Sequence, residues 1–566
     1  MVRKFAVFAI CVAFFSVSAM AQDAKTVISN AQAAMGNLTS ITYSGAAKDV
    51  SFQQCGANVT QMICQGPHDP MRPINNYVRV IDLSVPTSRA TGATNNIGGG
   101  GSTTAAPGVF NQMIPTADIS QAWGAQITNQ VELWITPWGF LKGAAANNAT
   151  ASRRRLDGKN YTVLTWMPTV KAPSGANYVI SGWVNEQNNF VERVETWLPD
   201  NIMGDMHVLA TYTDWKDFGG VKAPAKIVET RGEWPFFEVA VTAAKGNPPD
   251  VATLVPAPAG GGRGGPGGAP AGAPPAGGGR GGAPGAGAPA GAPPAGGGRG
   301  AGGGAGAVPP APGGAQAAGG GRGAGAPAGA PPAGAPAGGA RGGAPQAAAP
   351  APPEKLGEGV WRTTGGYNSL VVEFKDYIML LEAGGSQDAA AAAVADAHRL
   401  VPNKPIRYVM NTHPHSDHTA GLPVLVAEGA TIITHKNNEE FFERAFSTPR
   451  TLLAPTDALV KKPAKVKVET VDKKKVYTDG TRVVEFHHVP GAPHSNGLLI
   501  AYLPKEKVLF QGDFSLPTNP GEATNDHVKT LGKVLDTLNL DFDRYINVHN
   551  SAAPQTKADL NKALGK

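Results

Sequence analysis

The sequence predicts a multidomain chain: a β-rich N-terminal domain forming an incurved antiparallel sheet with a helix, and an α/β C-terminal domain. Three observations lead there. Glycine and proline are abundant, 73 and 48 of 566 residues, but 37 of the glycines and 21 of the prolines lie between Pro256 and Pro353. Outside that insert both return to ordinary globular frequencies, so the excess marks a boundary and not a fibrous chain. Before the insert, short β-rich runs follow one helical run; after it, strand-like and helix-like runs alternate. The expected divisions are a leader over 1–21, a β-rich domain over 22–255, a disordered linker over 256–353 and an α/β domain over 354–566.

The leader has the pattern of a secretory signal. Arg3 and Lys4 precede an apolar run from Phe5 to Val17, and Ala19-Met20-Ala21 fits a cleavage site. The expected location is therefore periplasmic or secreted; an uncleaved membrane anchor is the competing reading, for which the run is short. Cys55 and Cys64 are the only cysteines after the leader. An even pair in an exported chain suggests a disulfide closing a short loop, against two independent thiols.

In the first domain, Asp23 to Leu38 carries helical spacing through Val27, Ile28, Ala31, Ala34 and Met35. Strands are expected at Val131–Ile135, Tyr161–Trp166, Tyr178–Trp183, Val191–Trp197 and Val208–Thr213, with Gly98 to Gly101 as a loop. Eight of the nine tryptophans lie here, either filling a β core or lining an apolar cavity. The stretch from Tyr212 to Pro224 resembles the closing strands of bacterial lipoprotein-carrier-like sheets. The linker holds little that is apolar enough to offset ordering entropy, and reads as a loose tether. In the last domain, Leu370–Phe374 and Tyr377–Leu381 read as a hairpin. Ala389–Leu400 and Asn438–Phe446 read as helices, and Ile406–Met410, Leu498–Leu503 and Lys507–Phe510 as strands.

Net charge is +6. Setting aside two basic residues of the leader and five arginines of the linker leaves −1, so the folded parts carry no basic footprint for nucleic acid. Lys473-Lys474-Lys475 reads as a solvated turn.

The chemistry is concentrated in Asn411-Thr-His-Pro-His-Ser-Asp-His418, which follows the strand ending at Met410. His413 and His415, two apart, flank one point in an extended loop. Asp417 and His418 follow as the chain turns and aim at a neighbouring point. Imidazole and carboxylate suit zinc, and also iron or manganese. Leaving so many titratable groups buried and unpaired would be costly.

This H-x-H-x-D-H pattern, with Gly491-Ala-Pro-His-Ser-Asn-Gly497, Leu509-Phe-Gln-Gly-Asp513 and Ile546-Asn-Val-His549 after it, resembles the metallo-β-lactamase superfamily over residues 355–566. The resemblance implies an αββα sandwich binding two divalent metal ions. His413, His415 and His494 would hold one ion, Asp417, His418 and His549 the other, and Asp513 would lie between. Glu382 replaces the family's usual aspartate at the end of its first strand and would orient a ligand histidine, or else is a solvated acid. Asn550 replaces a usual glycine after the last histidine. His487 and His488 read as structural.

The implied activity is hydrolysis by a metal-activated water of an ester, lactone, amide or related bond in a small-molecule substrate, with Asp417 orienting the water and accepting its proton. The alternative is an envelope protein whose N-terminal domain binds a lipid or other apolar ligand, with the metal domain accessory.

Overall fold

The computed structural model describes residues 23–49, 71–98, 102–114, 127–255, 352–364, 367–517, 522–549 and 554–566. The leader, the Cys55–Cys64 pair, the loop at Gly99–Gly101 and the linker as far as residue 351 lie outside these described residues.

The N-terminal domain is one eleven-stranded sheet, antiparallel throughout. Its strands run Ser102–Ile114, Thr87–Gly98, Arg72–Asp82, Ser40–Asp49, Trp234–Gly246, Lys222–Arg231, Gly204–Asp217, Val191–Asp200, Ile180–Asn185, Lys159–Trp166 and Thr150–Leu156. Adjacent strands mostly follow each other in sequence, as the turn-punctuated pattern predicts. The first helix is Ala24–Ala34, burying Val27, Ile28 and Ala31.

One expected strand is wrong. Val131–Ile135 is not a strand: Ile127–Trp134 is helical, and a second helix, Pro137–Ala146, follows it. Thr136 caps the second helix by accepting from the Gly139 N–H, with Pro137 in the first turn. A short run buried on every side has no exposed face to set a period, so strand and helix look alike in sequence. Val131, Glu132, Leu133 and Trp134 are all buried. The tryptophans here are packing: Trp134, Trp138 and Trp166 are buried, and Trp134 meets Trp166 edge-on at 6.4 Å.

The C-terminal domain stacks two sheets between helices. The first sheet runs Glu354–Gly357, Val360–Thr364, Asn368–Glu373, Ile378–Leu381, Ile406–Met410, Thr431–His435, Val468–Val471. The second runs Lys474–Thr478, Val483–His488, Leu499–Leu503, Val508–Gln511, Arg544–Asn547, Gln555–Thr556. Side-chain alternation explains the four layers. Met379 and Leu381 face Val484, Phe486 and Phe510 in the core between the sheets. Ile378 and Leu380 point outward to a core shared with the helices Gln387–Leu400 and Leu422–Ala427. Strands covered on both faces need apolar residues at every position. On the far side, Ile500, Leu509 and Tyr545 pack under the helices Asp526–Leu538 and Lys557–Leu564.

The two domains are not loosely tethered. One contiguous apolar cluster joins Met203 and Met206 of the first to Phe446 and Leu452 of the second. Asp205 accepts from the Thr451 N–H and hydroxyl and from the Leu452 N–H, at 2.8, 2.6 and 2.8 Å. Arg450 donates to the Asn201 and Ile202 carbonyls at 3.1 and 2.8 Å. Gly204 has φ of +66° and lies against the Pro449 carbonyl, where a β-carbon would come within 2.5 Å. Only glycine suits that position.

Candidate metal centre

The candidate residues lie in the segments that follow strand ends: the loop and short helix after Met410, the loop after His488, and the residues after Gln511 and Asn547. Ile378–Leu381, Ile406–Met410 and Thr431–His435 run parallel, as do Val508–Gln511 and Arg544–Asn547. The carboxyl ends of parallel strands open onto a shared crevice, a general place for ligand sites in α/β sheets. Past Met410 the chain is fixed by the Asn411 N–H to the Ile433 carbonyl, 2.9 Å, and by the Thr412 carbonyl accepting from the Leu499 N–H, 2.8 Å. The second contact ties one sheet to the other. Asn411 also donates its side-chain N–H to the His418 carbonyl, 3.1 Å, clasping the loop into the short helix Ser416–Thr419.

The structure brings all seven expected side chains together in two groups. His413, His415, His494 and Asp513 have ligand atoms within 4.8 Å of one another, and Asp417, His418 and His549 do likewise. Asp513 faces both groups. Its Oδ2 lies 2.6 Å from His494 Nε2 and 3.5 Å from His413 Nε2. Its Oδ1 lies 3.0 Å from His418 Nε2 and 2.6 Å from His549 Nε2. Asp417 Oδ2 stands 3.3 Å from His549 Nε2. Gly512 permits this approach, because a β-carbon there would meet the Thr412 hydroxyl at 2.9 Å.

Glu382 is buried and adopts φ of +65°, a costly backbone for a side-chain-bearing residue. One carboxylate oxygen accepts from the Thr412 N–H at 2.7 Å and from its hydroxyl at 2.5 Å, and stands 3.4 Å from His418 Nδ1. The Thr412 hydroxyl is in turn 3.0 Å from His413 Nδ1. Glu382 thus touches one histidine of each group, directly or through Thr412. His487 bonds Glu485 at 2.9 Å and His488 stacks on His435 at 3.9 Å, both outside the cluster.

The electrostatics are unbalanced. Burial, then the charge of His418, pushes the His413 pKa well below its ordinary value; burial, then His413 and His494, does the same to His415. Burial opposes charge on His418, but Asp513, Asp417 and Glu382 outweigh it and raise its pKa. Burial would raise Asp513, yet the four histidines around it hold its carboxyl well below the usual range. His413 Nε2 and His494 Nε2 face each other at 3.0 Å, and His418 Nε2 and His549 Nε2 at 3.1 Å. Both ring nitrogens of His415, Oδ1 of Asp417 and the second oxygen of Glu382 are buried with no partner among the described residues. Converging lone pairs on hard and borderline donors fit divalent cations.

Three neighbours escaped the sequence reading. Thr412 lies inside the motif but carries no ligand chemistry of its own. Tyr367 stands edge-on to His549, with ring centroids 5.1 Å apart. His527 is buried, stacks on Phe514 at 3.9 Å and lies 5.0 Å from the His494 ring. Tyr367 and His527 are distant in sequence from any ligand motif.

A helix–sheet–sheet–helix domain with a histidine and aspartate cluster at its strand ends defines a class of metal-binding α/β folds. Residues 362–549 match the family model of the metallo-beta-lactamase superfamily, and the C-terminal domain is of that superfamily. Similar solved structures include a metallo-beta-lactamase from Pontibacter korlensis, at 15% identity, 38% of this chain, 96% of that chain and TM-score 0.29. Another is a metallo-beta-lactamase from Erythrobacter litoralis, at 18% identity, 38% and 94% coverage and TM-score 0.28. A third is rubredoxin oxygen:oxidoreductase from Desulfovibrio gigas, at 15%, 38%, 61% and 0.29. The family match and the His/Asp clusters support a metal-dependent, hydrolase-like function.

Proposed function

We propose that this chain is an exported hydrolase with a dinuclear, zinc-type centre that attacks an ester, lactone, amide or related bond of a small molecule. His413, His415 and His494 would hold one ion, Asp417, His418 and His549 the other, and Asp513 both. The observation that carries this reading is the division of Asp513, one oxygen toward each histidine group. When bound, such ions lower the pKa of water and polarise the electrophile. The chain's own residues do the rest. Asp417, with one oxygen beside His549, would accept the proton of the attacking water and return it to the leaving group. Glu382 and Thr412 hold the His418 and His413 rings in orientation. Export rests on the leader sequence, and the near-neutral folded parts favour a small molecule over nucleic acid.

The test is a panel of esters, lactones and lactams hydrolysed by the zinc-loaded chain and by Asp417→Ala. The expected result is zinc-dependent turnover lost in the variant; turnover that survives chelation, or survives His413→Ala, contradicts the reading.

The second reading, an apolar-ligand protein, draws support from a groove of about 800 Å³ lined by Trp197, Met203, Met206, His207, Arg444 and Leu452. Trp197 is exposed and stacks on His207 at 4.8 Å. Mass spectrometry of co-purified lipid tests it, and a lipid-free chain removes it.

A further inference from the structure

We propose that the Tyr367 hydroxyl is a substrate-contacting hydrogen-bond donor over the Asp417–His418–His549 side of the centre. This rests on the hydrolase reading above and adds a residue to it.

The ring is placed by three independent contacts. It stands edge-on to His549 and to His418, with centroids 5.1 and 6.5 Å away. It lies so close to the Gly385 backbone that a β-carbon there would come within 2.8 Å of it. The next residue, Asn368, is bonded to the strand that delivers His549. Its N–H donates to the Val548 carbonyl at 2.8 Å and its side chain to the Asn547 carbonyl at 2.7 Å. Tyr367 is thus registered against the last candidate ligand by its own chain neighbour.

The hydroxyl is poised for a bound molecule. Tyr367 is partly buried, and its hydroxyl has no hydrogen bond to a described residue. A phenol hydroxyl on a ring set against the His549 and His418 rings suits an acceptor oxygen that gains negative charge during reaction. A phenylalanine would provide the same packing without the oxygen, so the Tyr367→Phe comparison isolates the hydroxyl.

The experiment compares zinc-loaded wild-type chain with Tyr367→Phe, and with Tyr367→Ala as a packing control. Zinc per chain is measured by elemental analysis, inorganic phosphate affinity by titration calorimetry, and kcat/KM on the panel member hydrolysed best. Tyr367→Phe is expected to keep wild-type zinc, bind phosphate about tenfold more weakly and lose about ten- to hundredfold in kcat/KM. A phenylalanine variant within twofold of wild type on both counts overturns the proposal. So does loss of zinc in both variants, which makes Tyr367 a packing residue. If the wild type hydrolyses nothing yet binds phosphate, the hydrolase reading fails and the phosphate comparison alone decides the role of Tyr367. A wild type that neither turns over nor binds phosphate overturns both.

Discussion

Arg79, Glu132, Glu229 and Arg231, in the N-terminal domain, are as deeply buried as His413, His415 and His418 in the C-terminal one. The two clusters resolve their burial differently. In the first, Arg231 pairs with Glu132 and, at 2.9 Å, with Glu229. Arg79 donates to the Glu132 carbonyl at 2.7 Å and to Ser88 at 3.0 Å. Burial, then the charge of Glu132, raises the Glu229 pKa, so even its like-charged pair is eased. Among the described residues, no fully buried side-chain nitrogen or oxygen of these four lacks a partner. In the second cluster, imidazole nitrogens oppose each other and several buried atoms go unmatched. A buried cluster that satisfies itself holds structure in place; here it pins the helix Ile127–Trp134 to the sheet. A buried cluster that does not satisfy itself, here of histidine and aspartate, could hold a metal ion.

The largest effect is expected at the second cluster. His413→Ala should lose zinc and about a thousandfold or more in kcat/KM, while the metal-free chain unfolds no earlier than the metal-free wild type. Elemental analysis, kinetics and thermal unfolding check the three parts. Glu132→Ala should reverse this pattern. It removes the carboxylate between two buried guanidinium groups, leaving Arg231 only Glu229 and Arg79 only neutral acceptors, and should cost about 3 kcal/mol in urea unfolding, with zinc per chain unchanged. Equal zinc loss in both variants would erase the contrast between the clusters. Asp205→Ala removes three accepted hydrogen bonds at the domain border and should cost about 1–3 kcal/mol, read as earlier proteolysis there.

The smallest effect is a pH slope. Burial lowers the His207 pKa, but Glu195 and Glu233, at 3.3 and 2.7 Å, raise it above the ordinary 6.5. A raised folded value means its stabilisation is complete below pH 6.5 and fades as pH rises from there through the raised folded pKa. His207→Gln should flatten this slope, worth no more than about 1 kcal/mol, in denaturant titrations across pH 6 to 9.

Much of the C-terminal domain was legible because its signals are local. Ile406–Met410 is a strand with the expected ends, and Gln387–Leu400 starts two residues before the expected helix, at the Ser386 cap. Four of the seven clustered residues fall within one six-residue run, and the other three end recognisable strands or loops. What failed needed tertiary knowledge. Val131–Ile135 is apolar around a buried Glu132, whose partners Arg79 and Arg231 lie far along the chain. Asp205, at the start of the strand Gly204–Asp217, and Arg450, in a loop, carry no local mark of a partner until the fold sets their segments together. Tyr367 is one tyrosine among 11, and nothing local marks it as facing His549.

Native mass spectrometry of the zinc-loaded full chain, beside Asp513→Ala, tests the central claim most directly. If Asp513 serves both groups, the wild type carries two ions per chain and the variant loses affinity for both. A wild type with no specific ion, or a variant that still retains two, contradicts the account.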